Sequence, residues 1–142
     1  MATTEFSAYD QLYVYSGTRG RETFILQLVV DAHCAQFAEE TTKPVAVVMA
    51  LVGLFLHVER DFTGLQVQHA HIRLGRTKQV WPKIVLPAER GTMTAEDVLR
   101  VPAGAERDAA ISEWCRSVWA AYRSTAARRQ IVELLREHQI ID

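Results

Sequence analysis

The sequence predicts an all-α fold, in which a compact helical bundle surrounds a central apolar helical hairpin. Apolar residues recur at three- and four-residue spacings in most segments, which is the period of an amphipathic helix. Two strongly apolar segments, residues 21–38 and 45–60, follow each other closely and suit a buried antiparallel pair. A chain of 142 residues has the size of a single domain that buries about 70% of its unfolded surface. We therefore predict one domain over residues 1–142.

The first two segments are predicted to be helices with different surroundings. Residues 4–16 place Tyr9 and Tyr13 at helical spacing, which predicts a short arm that lays aromatic rings on the rest of the protein. Residues 21–38 are apolar almost all round, except for Gln27 and Asp31, which share a face. We expect protein to surround this second helix on most sides.

The third segment is predicted to be the central helix. Pro44 suits its first turn, and residues 45–56 contain no polar side chain. Such a stretch spans about 18 Å, whereas a bilayer needs about 20 apolar residues, so a membrane span is not expected.

The fourth segment is also predicted to be helical, and an extended segment follows it. Thr63 and Gln66 have the spacing of a capping box, which favours a helix over residues 65–75. Prolines bracket the hydrophobic residues of the extended segment near residues 77–91, in which Trp81 is expected to pack over the core.

Three further helices complete the prediction. Thr94 and Asp97 cap a short helix, and residues 105–122 carry one apolar stripe of an amphipathic helix. The last helix is expected to begin at Ser124 or Thr125.

Composition excludes some partners and indicates a compartment. Sixteen basic and seventeen acidic side chains leave a net charge of −1, so neither nucleic acid nor a membrane surface is an expected partner. Cys34 and Cys115 each fall in a helical segment, which suits reduced, buried thiols. The first ten residues lack the pattern of a secretion signal, so we predict a cytoplasmic protein.

Five landmarks in a fixed order carry a resemblance to a known family. They are VVDAHCAQ at 29–36, LVGLFLHVER at 51–60, WP at 81–82, RGTMTAEDV at 90–98 and WCRSVWAAY at 114–122. With them the chain resembles a bacterial family of small helical proteins of unknown function. The resemblance implies a fold and no activity. Relatives often carry a paired-cysteine metal ribbon ahead of the helices, which this sequence lacks, so no ribbon-based metal function is implied.

Three polar side chains around the turn at residues 62–64 predict a metal site. His57 and His69 would face each other across the turn, with Asp61 one helical turn after His57. Three such ligands that leave one coordination position open to water or substrate suit catalytic zinc or another divalent metal. Glu59 is then a candidate general base. In the alternative interpretation no cofactor is bound, His57 favours the negative end of its helix, and Asp61 is a hydrogen-bond partner.

The predicted register of the hairpin separates other polar residues. Facing positions should sum to about 81–82, which places His33 and His57 about 13 Å apart along the helices, too far to share an ion. Asp31 and Glu59 are separated in the same way. His71 points about 200° away from His69 on its helix and is expected to be solvated.

A charged Asp31 in so apolar a helix needs a partner, because an unpaired buried carboxylate is costly. The predicted partners are Arg60, Arg90 or an indole N–H, including that of Trp81. An alternative is a ligand pocket that uses Asp31, Arg60 and Trp81.

The sequence as a whole favours a binding domain, for a small-molecule ligand or for a second copy in a homodimer formed through the aromatic arm. A small metal-dependent enzyme is the alternative. Ser112, Ser117 and Ser124 have no histidine at a motif spacing that indicates nucleophile activation.

Overall fold

The computed structural model describes residues 7–77 and 79–142, and within them the protein is all-α, as predicted. The described ranges contain helices and no strand. The helices are α1 (Ala8–Gly17), α2 (Ile25–Phe37), α3 (Pro44–Arg60), α4 (Gly64–Gly75), α5 (Ala95–Leu99), α6 (Ala105–Arg123) and α7 (Ala126–Glu137). The first residues of the predicted arm, including Phe6, lie outside the described residues, as does Lys78.

α3 is the centre of the bundle, and α2, α4, α6 and α7 pack around it. Leu51, Leu54 and Phe55 are at most 1% exposed. Burial of a leucine or phenylalanine side chain contributes about 1.5–3 kcal/mol, so α3 supplies much of the driving force for folding. Its length and position follow from the apolar run that the sequence shows.

The predicted antiparallel hairpin of α2 and α3 is confirmed in direction and register. The Cys34 thiol lies 3.7 Å from the Ala46 carbonyl, and Asp31 lies against Gly53. These pairs sum to 80 and 84, which bracket the predicted values.

Local signals fix the helix ends. Capping boxes form at Ser7 with Asp10, at Thr63 with Gln66 and at Thr94 with Asp97, the last two as predicted. The boxes at Ser7 and Thr63 each satisfy two backbone N–H groups, and at Thr94 the backbone N–H donates to Asp97 Oδ2 at 2.9 Å.

The turn between α3 and α4 is tight. Asp61 adopts the left-handed region with φ 58°, and the Phe62 N–H donates to the Leu56 carbonyl at 3.0 Å. Gly64 then packs against the Phe24 backbone, where a Cβ would lie 1.9 Å from the Phe24 carbonyl oxygen. A side chain at position 64 would therefore push α4 away from α2.

An extended segment after α4 crosses the core, as predicted. Ile84 is buried, and Trp81 and Leu86 are partly buried against the core. On the following helices, the predicted stripe of α6 and the apolar residues of α7 are buried. None of the helices in the described ranges combines the length and the hydrophobicity that a membrane crossing requires.

Candidate functional site

The structure does not assemble the predicted metal group of His57, Asp61 and His69. His57 Nδ1 lies 2.7 Å from the Phe62 carbonyl, and His57 Nε2 lies 3.0 Å from Ser112 Oγ. Both ring nitrogens thus have partners within the protein. Asp61 and His69 are exposed. Within residues 7–77 and 79–142, no three His, Cys, Asp or Glu side chains converge closely enough to hold a metal ion.

Glu59, the candidate base, lies in an ion-pair cluster at the end of α3. Arg128 of α7 binds both of its carboxylate oxygens, with a shortest distance of 2.7 Å, and the Trp119 indole donates to it at 2.7 Å. Hydrogen bonds from Arg128 and Trp119 hold the pKa of Glu59 below its usual value. A carboxylate bound in this way is a weak proton acceptor, and its position suits a clamp between α3, α6 and α7.

Asp31 is buried, with 3% of its surface exposed, but its partners differ from those predicted. Gln27 Nε2 donates to Asp31 Oδ1 at 3.0 Å, whereas Asp31 Oδ2 accepts no hydrogen bond. The prediction of an arginine or indole partner is wrong. The Arg60 guanidinium is exposed and lies 5.8 Å from the Phe55 ring centre.

The other predicted partners of Asp31 are engaged elsewhere. Arg90 donates to the carbonyls of Pro87, Gln36 and Ala38, and so joins the extended segment to the end of α2. Trp81 is half-buried in the extended segment. The Trp114 indole donates to Gln36, and the Trp119 indole donates to Glu59.

His71 lies beside Asp31, so its predicted solvation is also wrong. The His71 side chain is 16% exposed, and its Nε2 lies 2.7 Å from the Met49 carbonyl. A carbonyl oxygen only accepts, so His71 Nε2 carries a proton and donates it to Met49. The same nitrogen lies 3.9 Å from Asp31 Oδ2, beyond hydrogen-bond distance.

We define the buried polar cluster as Gln27, Asp31, Gly53 and His71. Its two ionisable side chains are those of Asp31 and His71, and burial shifts the pKa of both. Burial raises the pKa of the Asp31 carboxyl well above its ordinary value and lowers the pKa of His71. A Cβ on Gly53 would lie 1.8 Å from Asp31 Oδ2, so the carboxyl occupies the space that Gly53 leaves. Burial between α2, α3 and α4 therefore favours the neutral form of both the Asp31 carboxyl and the His71 imidazole.

Four rings form a continuous row on α1 and α2, and we call this row the aromatic face. The Tyr13 and Tyr9 ring centres are 6.1 Å apart, Tyr9 stacks on His33 at 3.7 Å, and His33 lies 4.9 Å from Phe37. Tyr13 is 45% exposed and Phe37 is 56% exposed. Both ends of the row are therefore open to a partner.

A cavity of about 500 Å³ adjoins the Phe37 end of the aromatic face. Its wall continues from Phe37 and Gln36 along residues 88–92 to Thr94. Gln36 is fixed at this wall because its amide donates to the Met93 carbonyl at 2.7 Å and accepts from the Trp114 indole. The aromatic face and this cavity together form a surface that a small molecule can occupy.

Sequence reasoning did not find this surface, although part of the signal is local. His33 and Phe37 are four residues apart, so a helix places them on the same side. The stacking of Tyr9 on His33 and the contact of Ser112 with His57 join distant segments, and no spacing along the chain indicates them.

The comparisons with known proteins assign a family. A family model described as "Family of unknown function (DUF5946)" matches residues 6–123. Neither the curated proteins nor the solved structures include a match to this chain. The family match covers most of the sequence, in accord with the resemblance that the five landmarks carry. The chain belongs to the DUF5946 family of unknown function.

Proposed function

We propose that this domain acts by binding, and that its ligand is a small, flat molecule with a cationic group that occupies the aromatic face and the adjoining cavity. The observation that carries the proposal is the unbroken row of four rings with exposed ends. Two exposed rings in contact with two partly buried ones give a rigid surface on which a flat molecule can stack. The cavity of about 500 Å³ is within the usual volume of small-molecule sites.

The charge of the surroundings supports a cationic group. Burial lowers the pKa of His33, which favours the neutral form of this ring. The acidic side chains of Asp10 and Glu96 lie close enough to His33 to act on its ionisation, and both are exposed. A cation over an aromatic ring gains about 0.5–1 kcal/mol at exposed sites and about 2 kcal/mol when it is desolvated.

The positive charge of Arg90 also borders the cavity, but it is partly neutralised. Three backbone carbonyls accept hydrogen bonds from its guanidinium, and Glu89 lines the same wall. We infer that Arg90 shapes the cavity and that the acids beside the aromatic face select the charge of the ligand.

A titration with a pair of matched probes tests this proposal. N-methylquinolinium and neutral quinoline share the same flat ring system and differ chiefly in charge, so a comparison of the nuclear magnetic resonance shifts that they cause in the protein reports mainly the effect of the charge. We expect the cation to bind more tightly and to shift signals of Tyr9, His33 and Phe37. Phe37→Ala should weaken binding at least about fivefold, which corresponds to about 1 kcal/mol.

Val85→Ala is the matched control, because Val85 is 80% exposed and lies on the extended segment. It should bind both probes like the unaltered protein. Equal affinities of the Phe37 and Val85 variants for N-methylquinolinium would contradict the assignment of the surface.

Self-association is a second candidate function, and exposed apolar side chains on α1 favour it. Tyr13 and Val14 are 45% and 58% exposed. A two-fold dimer would place the same patch of both copies in contact. Deletion of α1 is an unsuitable test, since Leu12 is completely buried. Light scattering should instead show a smaller mass for a Tyr13→Ser, Val14→Ser variant, whereas an unchanged mass rules out α1 as the interface.

We also propose a cytoplasmic location, which the state of the cysteines supports. Cys34 and Cys115 are free, and burial raises the pKa of both thiols. Free thiols of this kind are typical of reducing compartments. Fractionation of cells that produce the full chain tests the location, and recovery outside the cytoplasmic fraction would contradict it.

A further inference from the structure

Ser112 of α6 and His57 of α3 have the relative placement of a nucleophile and its base. Ser112 Oγ lies 3.0 Å from His57 Nε2, and His57 Nδ1 lies 2.7 Å from the Phe62 carbonyl. Because the carbonyl only accepts, Nδ1 carries the proton of the neutral ring, and Nε2 is the acceptor. In the neutral ring the hydroxyl of Ser112 therefore donates to His57 Nε2. A serine within a helix often donates to the carbonyl four residues earlier, so this contact is not the local default.

The turn after α3 orients the ring. Asp61 adopts φ 58°, which is uncommon for residues other than glycine, and this turn brings the Phe62 carbonyl to His57 Nδ1. Phe62 is thus a positioning residue, because its backbone selects the tautomer in which Nε2 can take a proton. Strained backbone of this kind is often found beside functional groups.

We propose that Ser112 is an activated nucleophile that accepts an acyl group from an ester, with His57 as the general base. Ser112 Oγ attacks the acyl carbon while its proton moves to His57 Nε2. The carbon–oxygen bond to the leaving alcohol then breaks, and the alcohol takes the proton from the imidazolium. Attack by water, again with His57 as the base, releases the carboxylic acid and restores the serine.

Arg116 is placed to stabilise the negative charge that develops on the acyl oxygen. It follows Ser112 by four residues, so the two positions are neighbours on one face of α6, and we expect the Arg116 guanidinium to reach an ester held at Ser112. Arg116 is exposed and makes no hydrogen bond or ion pair with the described residues. Ser112 and His57 are partly exposed, so an ester can approach them from solvent.

The test uses the full chain and p-nitrophenyl acetate. We expect a burst of p-nitrophenolate close to one per chain, and an acetyl group on Ser112 in peptide mass spectra. Ser112→Ala should abolish both. Ser117→Ala is the matched control, because Ser117 is a partly buried serine on the same helix and should leave both unchanged. His57→Gln should lower the acylation rate by about 100-fold or more, and Arg116→Gln by about 10-fold or more.

Two outcomes would overturn the proposal. One is an acetyl group on lysine or tyrosine together with an undiminished burst in the Ser112→Ala variant. The other concerns pH and remains decisive even where His57→Gln does not fold. Acylation that depends on a histidine levels off once the imidazole is neutral, so a rate that keeps rising in proportion to hydroxide would exclude His57 as the base.

Discussion

Replacement of Asp31 by asparagine should remove the pH dependence that this residue gives to stability. Asparagine has nearly the same shape and keeps an oxygen that accepts from Gln27, but it does not ionise. Burial raises the pKa of the Asp31 carboxyl well above its ordinary value, and Asp31 Oδ2 has no hydrogen-bond partner to offset this effect. The folded protein therefore keeps the proton of Asp31 at pH values where the unfolded chain has released it.

The sign and magnitude of the effect follow from proton linkage. Between the ordinary carboxyl pKa, about 4, and the raised pKa of the folded state, the folded protein binds more protons than the unfolded chain. The free energy of unfolding then falls by about 1.4 kcal/mol for each pH unit. From pH 5 to pH 7 the wild type should therefore lose stability relative to Asp31→Asn, by at most about 2.8 kcal/mol.

Urea unfolding from pH 5 to pH 9 measures the difference in the free energy of unfolding between the wild type and Asp31→Asn. The contributions of all other titratable groups largely cancel in this difference. At pH 5 the two proteins should agree within about 1 kcal/mol, the usual net value of one hydrogen bond. Asp97→Asn is the contrasting control, since hydrogen bonds from Thr94 hold the pKa of Asp97 below its usual value. Its difference from the wild type should stay constant over this pH range, because the stability that a lowered carboxyl pKa contributes is complete above pH 5 and is lost only at lower pH. Parallel curves for wild type and Asp31→Asn would refute the assignment of a neutral buried acid.

Three further predictions concern stability and metal content. Glu59→Gln should lower the free energy of unfolding by about 2–3 kcal/mol, because it weakens the clamp on Arg128 and Trp119. Glu40→Gln, which removes one partner of an exposed pair, should cost less than about 0.5 kcal/mol in the same urea experiment. Gly53→Ala should cost about 2 kcal/mol or more through its clash with Asp31, and Asp31→Ala in the same chain should recover part of the loss in thermal unfolding. Elemental analysis of protein purified without added metal should find less than about a tenth of an ion per chain, since both His57 nitrogens have partners, and stoichiometric zinc would contradict this expectation.

The helices and the hairpin register could be predicted because their signals are local or repeat along a face. Thr63 and Gln66 form their capping box from four consecutive residues, and Pro44 begins α3. The register follows from the apolar faces of two adjacent helices joined by a short connection, which leaves few ways to pair them.

The states of Asp31 and His71 could not be predicted in this way. From the sequence a charged Asp31 is expected to need an arginine or an indole N–H, whereas burial raises the pKa of its carboxyl and so favours the protonated form. His71 and His69 lie on different sides of α4, and the sequence predicts that the side with His71 faces solvent. The spacing along the chain does not indicate that α3 packs against that side. In the structure that side faces the Met49 carbonyl.

Several polar groups of the bundle share one feature that explains both results, namely that they contact residues of α3. Met49 and Gly53 receive His71 and Asp31, His57 meets Ser112, and Glu59 meets Arg128 and Trp119. Which face of α3 contacts a given neighbour depends on how α2, α4, α6 and α7 pack around it. This arrangement depends on the whole chain. A search for motifs by spacing finds groups on one helix or across one turn, and it misses pairs such as His57 and Ser112. For the same reason, substitutions on α3 disturb the core and a polar contact together. Variants of the partner side chains, such as Ser112 and Arg116, separate function from stability more cleanly.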